Sequence, residues 1–260
     1  MPEGDTVFRA ARALDVALSG DLVTRFEARV PRSAVADLSG ERVRSVAPAG
    51  KHLLLRIGDY TLHSHLKMEG RWAVMRPGQR WPSPAYQARA IVETARAVAV
   101  GFELAQVEVL PTREEERIVG HLGPDPLSAT WDPVEAARRV ATDPRAAHVA
   151  ILDQRNVAGF GNVYANELLF VRGIHPETPA TDIDAAALVS TGARMIRANR
   201  DRTGRTFTGK NVPGQRTWVY RRAGAPCRRC GTLIEETTLG ADPTSQRIVF
   251  WCPSCQPRLA

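Results

Sequence analysis

The sequence predicts an α+β protein: an N-terminal helix, an antiparallel β-sandwich, a helical domain and a small C-terminal module. Apolar residues recur at helical spacing from Thr6 to Leu18, and short alternating runs follow as far as Phe102. Helix-start signals return after Pro111, and all four cysteines lie at or after position 227. The expected domains are residues 1–111, 112–215 and 216–260.

The segment MPEGDT leads directly into the first helix. We expect Asp5 or Thr6 to be its N-cap, since short polar side chains accept the free N–H groups of a first turn. Gly20 is the expected C-terminal stop. The helix therefore begins almost at the start of the chain, directly after Pro2 and Glu3.

The region between Leu22 and Phe102 contains strand-like runs separated by Gly, Pro and Asp. Such punctuation between short runs favours an antiparallel sandwich or barrel. The runs are RVRSV, HLLLRI, TLHSHL, RWAVM, AIVE and AVAV.

The region after Pro111 is predicted to be helical. In WDPVEAARRV, Asp132 is the expected N-cap and Pro133 the first helical residue. Further helices are expected at 145–153, 163–171 and 183–200.

The segment ILDQRNVAGFGNVYANE contains a tight glycine turn between two of these helices. We expect one helix to end near Val157 and the next to start at Asn162. Glycines allow backbone N–H groups to approach a phosphate, and the Asn162 side chain adds a donor at the helix N-terminus. This pattern predicts two helices joined by tight turns, an element that binds a nucleic-acid backbone.

The C-terminal module carries two C-x-x-C pairs. Four thiolates at this spacing predict one structural zinc ion in a tetrahedral site. Two disulfides are the alternative, which a cytoplasmic chain disfavours. The alternating run QRIVFWC predicts a hairpin strand with Arg247 near a turn beside the metal, where it suits a phosphate; a solvated turn arginine is the alternative. The cysteines are Cys227, Cys230, Cys252 and Cys255.

The charge balance favours a polyanionic partner. The chain has 35 basic and 28 acidic residues, a net charge of +7 and a pI near 9.7. No apolar run approaches the roughly 20 residues of a membrane span, and the acidic N-terminus is wrong for a signal peptide. We therefore expect a cytoplasmic protein without a membrane partner.

Four separated motifs together resemble the formamidopyrimidine-DNA glycosylase and endonuclease VIII family of base-excision repair enzymes. They are MPEG, GKHLLL, GFGNVYANE and the C-x-x-C pairs that enclose QRIVFWC. The resemblance runs from residue 2 to residue 256. It implies a helix-two-turns-helix domain with a C-terminal zinc finger, and damaged DNA in a cleft between two domains. It also implies a monomer with one structural Zn²⁺, no small-molecule cofactor and a place at the bacterial nucleoid.

The resemblance makes Pro2 the nucleophile of a bifunctional glycosylase and lyase. Removal of Met1 exposes its secondary amine, which forms a Schiff base with the sugar, and Glu3 protonates the opening deoxyribose. The chemistry is sound, because a chain-terminal amine titrates near ~8 and a lysine above ~10. Proline also fixes its own backbone angle and so presents the amine in one orientation.

The resemblance also assigns the residues that hold DNA. Lys51 assists elimination and holds a phosphate beside the lesion. Asn162 and Arg247 grip neighbouring phosphates, and Arg247 has a part in the last elimination. Met68 is the apolar wedge that fills the place of a flipped base, with a core methionine as the alternative. Lys67 and His121 are candidate contacts to the opposite strand.

Two departures from the family pattern affect these expectations. Purine-specific members carry an Arg-Arg-Phe loop, whereas VGFELAQVEVL contains no arginine. Its absence favours the endonuclease VIII branch and oxidised pyrimidines. Arg221 stands where a glycine is usual, and residues 203–217 form a glycine-rich basic loop over the lesion. A catalytically silent zinc-finger DNA-binding protein of the same fold remains the alternative, although Pro2, Glu3 and Lys51 are all present.

Overall fold

The computed structural model describes residues 2–258. The chain divides into two compact units, Met1–His121 and Leu122–Ala260. In the described part of the first unit, helix α1 (Gly4–Leu18) is followed by eight strands and the short helix α2 (Glu116–Val119). The strands are β1 (Val23–Ala28), β2 (Val43–Ala49), β3 (His52–Ile57), β4 (Tyr60–His65), β5 (Arg71–Met75), β6 (Ala88–Thr94), β7 (Val98–Phe102) and β8 (Gln106–Pro111).

The strands form two four-stranded antiparallel sheets, in the orders β1-β6-β7-β5 and β2-β3-β4-β8. This arrangement confirms the predicted sandwich. Strands β1 and β8 were absent from the sequence prediction, and each is the edge strand of its sheet. The buried residues of β1, Val23, Phe26 and Ala28, do not alternate regularly, and β8 has a single buried residue, so the alternation of apolar residues that reveals a strand is weak in both.

Helix α1 starts earlier than predicted. The carbonyl of Glu3 accepts the N–H groups of Thr6 and Val7 at 2.9 and 3.0 Å, so Glu3 occupies the N-cap position. The expectation of Asp5 or Thr6 as N-cap is therefore wrong. The Asp5 carboxylate instead accepts the Thr6 N–H at 2.8 Å from within the first turn. Gly20, at a φ of +89°, follows the helix as expected.

One apolar core joins α1 to residues of both sheets. On β3 the core-facing residues are Leu53, Leu55 and Ile57. Because side chains alternate along a strand, His52 and Arg56 lie on the opposite face of that sheet. The Arg56 guanidinium pairs there with Glu115, just before α2, at 2.7 Å.

The second unit is helical, as predicted, and ends in a two-stranded hairpin. Asp132 caps the first of its helices by accepting the N–H groups of Val134 and Glu135, which confirms the capping prediction. The elements are α3 (Pro133–Ala141), α4 (Ala147–Leu152), α5 (Asn162–Arg172), α6 (Ala185–Asn199), β9 (Glu235–Leu239) and β10 (Arg247–Trp251).

Helix α4 ends at Leu152, five residues before the predicted boundary near Val157. The Asp153 carboxylate accepts the N–H of Arg155 and pairs with the guanidinium groups of Arg145 and Arg155. These bonds offer the backbone an alternative to a further helical turn. None of the helices in residues 2–258 is long and apolar enough to span a membrane.

The C-terminal hairpin packs onto α5 within the second unit. Phe170, Val219, Ile234 and Phe250 share an apolar cluster with the buried cysteines. The fully buried Glu167 carboxylate accepts three consecutive backbone N–H groups, from Trp218, Val219 and Tyr220, at 2.7, 3.0 and 2.8 Å. One carboxylate of α5 thus holds the start of the C-terminal segment.

Arg221 has a φ of +56°, a left-handed conformation that favours glycine, which agrees with the expectation that family members carry a glycine here. The left-handed conformation costs a residue with a Cβ about 1 kcal/mol. We expect Arg221→Gly to raise the free energy of unfolding by about 0.5–1 kcal/mol, measured by urea denaturation. Arg221→Ala is the matched control, because it removes the guanidinium and keeps the Cβ. A glycine variant less stable than the alanine variant would contradict the explanation.

Candidate nucleic-acid interface

Pro2 and Glu3 lie at the N-terminal end of α1. Pro2 is half-buried and directly precedes the N-cap position, whereas Glu3 is 0% exposed. The helix dipole disfavours a positive charge on an amine at this end, whereas the neighbouring Glu3 carboxylate favours one. Met1, whose removal the resemblance implies, lies outside the described residues. The residue that directly follows the predicted nucleophile is therefore a buried glutamate at the N-cap position of α1.

Lys51 lies in the tight turn that joins β2 to β3. The last paired residues of these strands are Ala49 and His52, and Gly50 adopts a φ of +57° between them. Helix α1 packs against both strands, and Asp15 of α1 accepts the Val46 N–H at 2.8 Å. Lys51 is therefore part of the same compact unit as Pro2 and Glu3.

Met68 is exposed on a hydrogen-bonded turn between β4 and β5. Its side chain is 54% exposed, so it is not a core methionine. The turn closes with a bond from the Gly70 N–H to the Leu66 carbonyl at 3.0 Å. Lys67 adopts a φ of +48°, and its N–H donates to His65 Nδ1 at 3.0 Å. An apolar side chain held outward in this way is suited to enter a base stack.

The segment VGFELAQVEVL is mostly strand. It supplies the end of β7 and most of β8, and only residues 103–105 connect the two strands. Glu103 makes this connection with a φ of +49°. A connection of three residues is too short to form the Arg-Arg-Phe loop of purine-specific members. This agrees with the absence of arginine from the segment.

Four histidines form a cluster in the first unit. His52 Nδ1 lies 2.9 Å from His63 Nε2, and the ring of His52 lies 5.1 Å from that of His65 and 6.2 Å from that of His121. Of these, only His121 was predicted as a site residue. The register that pairs His52 with His65 is a tertiary property, so the sequence alone gave no signal beyond the alternation in TLHSHL.

Burial favours the neutral form of three of these imidazoles, those of His52, His63 and His65. It lowers the pKa of His52 to about 3, with further lowering from the other three histidines and Lys51. Burial likewise lowers the pKa values of His63 and His65 to about 4. Neutral imidazole offers one N–H donor and one acceptor nitrogen.

We expect these histidines to make the protein less stable in mild acid. The unfolded chain protonates each imidazole near ~6.5, but the folded chain does so only near its lowered pKa. Stability is therefore lost as the pH falls below about 6.5. Between pH 7 and pH 5 the loss should reach about 3–4 kcal/mol, allowing for solvent screening, in urea denaturation. His63→Gln should make this loss smaller, whereas stability that is constant over this range would contradict the expectation.

Asn162 is the first residue of α5 and ties that helix to β10. Its Nδ2 donates to the Ile248 carbonyl and its Oδ1 lies near His148 Nε2, both at 2.9 Å. Asn166, one turn later, accepts the Phe250 N–H at 2.6 Å. One of the two Asn162 amide hydrogens is thus used within the protein, and a phosphate contact through this side chain depends on the other.

Arg247 begins β10 and is exposed. Its charge contributes to lowering the pKa of His148 to about 4, after the larger effect of burial. Arg247 therefore lies near the hydrogen-bonded side chains of Asn162 and His148. Such proximity is necessary if Asn162 and Arg247 are to bind neighbouring phosphates. Its position near the turn agrees with the sequence, but the expectation that it lies beside the metal is wrong. Cys252 follows the other end of β10, roughly 16 Å away at about 3.3 Å per residue.

The four cysteine Sγ atoms all lie within 4.8 Å of one another, and none forms a disulfide. In a tetrahedral zinc site with Zn–S near ~2.3 Å, neighbouring sulfurs are about 3.8 Å apart. The observed Cys227–Cys255 and Cys230–Cys252 distances are 4.0 and 3.4 Å. Hydrogen bonds from Thr232 lower the pKa of Cys230 to about 6, whereas burial and the other thiols raise that of Cys255 to about 12. Four thiolates here require a cation, and the residues fit zinc.

The architecture and the site define a class: base-excision repair enzymes with a helix-led β-sandwich and a helical unit that bears a cysteine hairpin. The family model for the formamidopyrimidine-DNA glycosylase N-terminal domain matches residues 1–110. The model for the H2TH domain of the same family matches residues 122–197. The chain belongs to the formamidopyrimidine-DNA glycosylase and endonuclease VIII family.

Curated relatives place the chain nearer the endonuclease VIII branch. It is 49% identical to "Probable endonuclease 8 2" of Streptomyces coelicolor, over 98% of this chain and 94% of that protein. It is 46% identical to the DNA-(apurinic or apyrimidinic site) lyase Nei2 of Mycolicibacterium smegmatis, over 98% and 99%. Identity to a formamidopyrimidine-DNA glycosylase of Latilactobacillus sakei is 28%, over 98% of each chain.

Solved structures share the fold. The Lactococcus lactis Fpg in complex with DNA containing an abasic site superimposes with a TM-score of 0.81, over 98% of this chain and 100% of that one. The same enzyme in complex with DNA containing an oxidised pyrimidine gives 0.81, over 99% and 100%. Their identities of 22% and 23% establish a common fold.

Proposed function

We propose that this protein is a bifunctional DNA glycosylase and abasic-site lyase that excises oxidised bases, chiefly pyrimidines, through a Schiff base on Pro2. The observation that carries the proposal is that Pro2 directly precedes the fully buried Glu3 at the N-terminus of α1. Relatives named as endonuclease 8 and as an abasic-site lyase support it.

The proposed reaction begins at the sugar C1′. The Pro2 nitrogen forms a bond to C1′ as the bond from C1′ to the damaged base breaks, and the departing base takes the bonding electrons and the amine proton. Glu3 protonates the ring oxygen as the C1′–O4′ bond breaks, which leaves a hydroxyl on C4′ and, because the amine is secondary, a cationic imine at C1′. That cation makes the C2′ proton acidic, the carboxylate left at Glu3 takes this proton, and the 3′ phosphate leaves by β-elimination. Lys51 lies in the same unit and assists by holding a neighbouring phosphate.

The proposed grip on DNA uses both units. In the first, the exposed Met68 occupies the space of the flipped base, and Lys67 and His121 contact the opposite strand. In the second, the N-terminus of α5 at Asn162 attracts a phosphate, and Arg247 holds the next one. Two hydrogen bonds between α5 and β10 support the proposal that Asn162 and Arg247 bind neighbouring phosphates together.

The pyrimidine preference rests on the β7–β8 connection. Three residues connect these strands, and they supply neither the arginine nor the phenylalanine expected of a purine-specific wedge. The higher identity to relatives named endonuclease 8 points in the same direction.

One zinc ion is the proposed cofactor, with a structural role only. Cys227, Cys230, Cys252 and Cys255 would hold it. Bound there, it supplies cross-linking of the hairpin and no chemistry at the sugar.

Borohydride trapping tests the proposal. Processed protein is incubated with duplexes that each contain one lesion or an abasic site, and borohydride reduces the imine to a stable adduct. We expect adducts with abasic DNA and faster cleavage of oxidised pyrimidines than of oxidised purines. The silent DNA-binding alternative predicts salt-dependent binding without adduct or cleavage. Absence of an adduct would overturn the proposal, and faster cleavage of purines would overturn the pyrimidine preference.

A further inference from the structure

The histidine cluster lies on the face of the β2-β3-β4-β8 sheet that is turned away from the core. His52 pairs directly with His65 across β3 and β4, and His63 lies two residues from His65 on the same face. The opposite face carries Leu53, Leu55 and Leu62 into the apolar core. The cluster therefore lies on the polar face of this sheet, and that face starts next to Lys51.

A hydrogen bond fixes which nitrogen of His52 carries its proton. His63 is 1% exposed, and its Nδ1 has no hydrogen-bond partner among the described residues. A proton on that nitrogen would be a buried donor without an acceptor, which folded proteins avoid more strictly than an unpaired acceptor. The His63 proton therefore lies on Nε2 and is donated to His52 Nδ1 at 2.9 Å.

The second unit contains the same arrangement. His148 Nε2 donates to Asn162 Oδ1, whose amide is oriented by its bond to the Ile248 carbonyl. His148 Nδ1 is then a buried acceptor without a partner. The protein thus tolerates an unpaired imidazole acceptor where the other nitrogen donates.

His52 consequently carries its own proton on Nε2. No described residue bonds to this nitrogen, and it is not among the buried unpartnered atoms, so it is not fully buried. His65 is also protonated on Nε2, because its Nδ1 accepts the Lys67 N–H. Next to Lys51 the surface therefore offers N–H donors, which suit an oxyanion.

We propose that His52 is a neutral phosphate-binding donor beside Lys51, and that His63 is a positioning residue that fixes the proton on the outward nitrogen of His52. The inference rests on the proposed function, since the phosphate belongs to the DNA that the enzyme binds. A neutral donor adds affinity without releasing a counterion, which distinguishes it from lysine or arginine.

Binding measurements at several salt concentrations test the role of His52. The probe is a duplex with a tetrahydrofuran abasic analogue, and binding is measured by fluorescence anisotropy. We expect His52→Leu to weaken binding about tenfold at each salt concentration, with an unchanged slope of log Kd against log salt. His52→Gln keeps an N–H donor and should bind within about twofold of wild type. Lys51→Met is the reference for a charged contact, with a slope shallower by about 0.9.

Long-range ¹H–¹⁵N NMR tests the role of His63. In the wild type we expect His52 to be protonated at Nε2. In His63→Leu we expect a mixture of tautomers and at least about twofold weaker binding, because only part of the population presents the donor outward. Thermal melting confirms that each variant is folded.

Several results would overturn the inference. They are wild-type affinity in His52→Leu, a shallower salt slope in that variant, or a proton on His52 Nδ1 in the wild type. Borohydride trapping by the wild type on abasic DNA separates the two proposals. If trapping succeeds and His52→Leu binds normally, this inference alone fails. If trapping fails, the proposed function fails whatever the role of His52.

Discussion

Adding one glycine before Pro2 is expected to abolish borohydride trapping. The extension converts the secondary amine into an amide nitrogen, whose lone pair is delocalised and cannot attack C1′. We expect adduct formation to fall by more than about 10³-fold, while binding to an uncleavable abasic duplex changes by about threefold or less. The readouts are the rate of covalent adduct formation and the dissociation constant.

The same glycine added after Ala260 is the matched control. It changes the length of the chain equally and leaves the amine intact, so trapping should match that of the wild type. Wild-type trapping in the N-terminally extended protein would contradict Pro2 as the nucleophile, and would assign the adduct to the amine of the added glycine or to one of the three lysines, Lys51, Lys67 and Lys210.

Glu3→Gln separates proton transfer from amine attack. The substitution keeps the size of a fully buried side chain and removes its acid. We expect base excision to fall by about 10²–10⁴-fold, the usual contribution of a positioned acid. Asp5→Asn is the control, because Asp5 is equally buried in the same helix turn but serves the Thr6 N–H. An equal loss in both variants would assign the effect to helix structure.

Loss of the metal site is the third large expected effect. In Cys252→Ser we expect the protein to lose its zinc and to bind abasic DNA at least about 100-fold more weakly. Cys252 belongs to the same apolar cluster as Phe170 and Phe250, and β10 carries Arg247. Because metal binding to such a site supplies folding free energy, its loss should disorder the hairpin and with it the phosphate grip.

Elemental analysis, thermal melting and anisotropy check this expectation. Ser254→Ala lies in the same C-x-x-C pair and loses only the hydroxyl contact with Thr232, at 2.8 Å, so it should keep one zinc per chain. Cys252→Ser with a full complement of zinc and unchanged binding would refute the structural role.

The parts of the site that depend on local sequence could be predicted. The C-x-x-C pairs, the Asp132 cap and the exposed turn at Met68 each depend on a few neighbouring residues. The edge strands β1 and β8 could not, because half-exposed side chains weaken the periodic signal. The Glu3 N-cap was missed because backbone geometry, and not side-chain capping, sets the start of α1.

Contacts between distant segments also could not be predicted from the sequence. The bond from Asn162 to Ile248 joins residues 86 apart, and the His52–His63 bond depends on strand register. Charged or polar residues such as Glu167 look like ordinary helix-surface residues in the sequence. Their burial becomes visible only once the C-terminal segment is in place.

The Glu167 carboxylate imposes an order on the folding of the protein while it is being synthesised. The first of its three backbone donors, Trp218, lies 51 residues further along the chain. At about 5–20 residues per second, a ribosome delivers that donor some 3–10 s after Glu167. Until then the carboxylate must keep its hydration, because burial without donors is costly. Helix α5 therefore reaches its final packing only after the last quarter of the chain begins to emerge. The C-terminal segment is thus required to complete the folding of the helix that it binds.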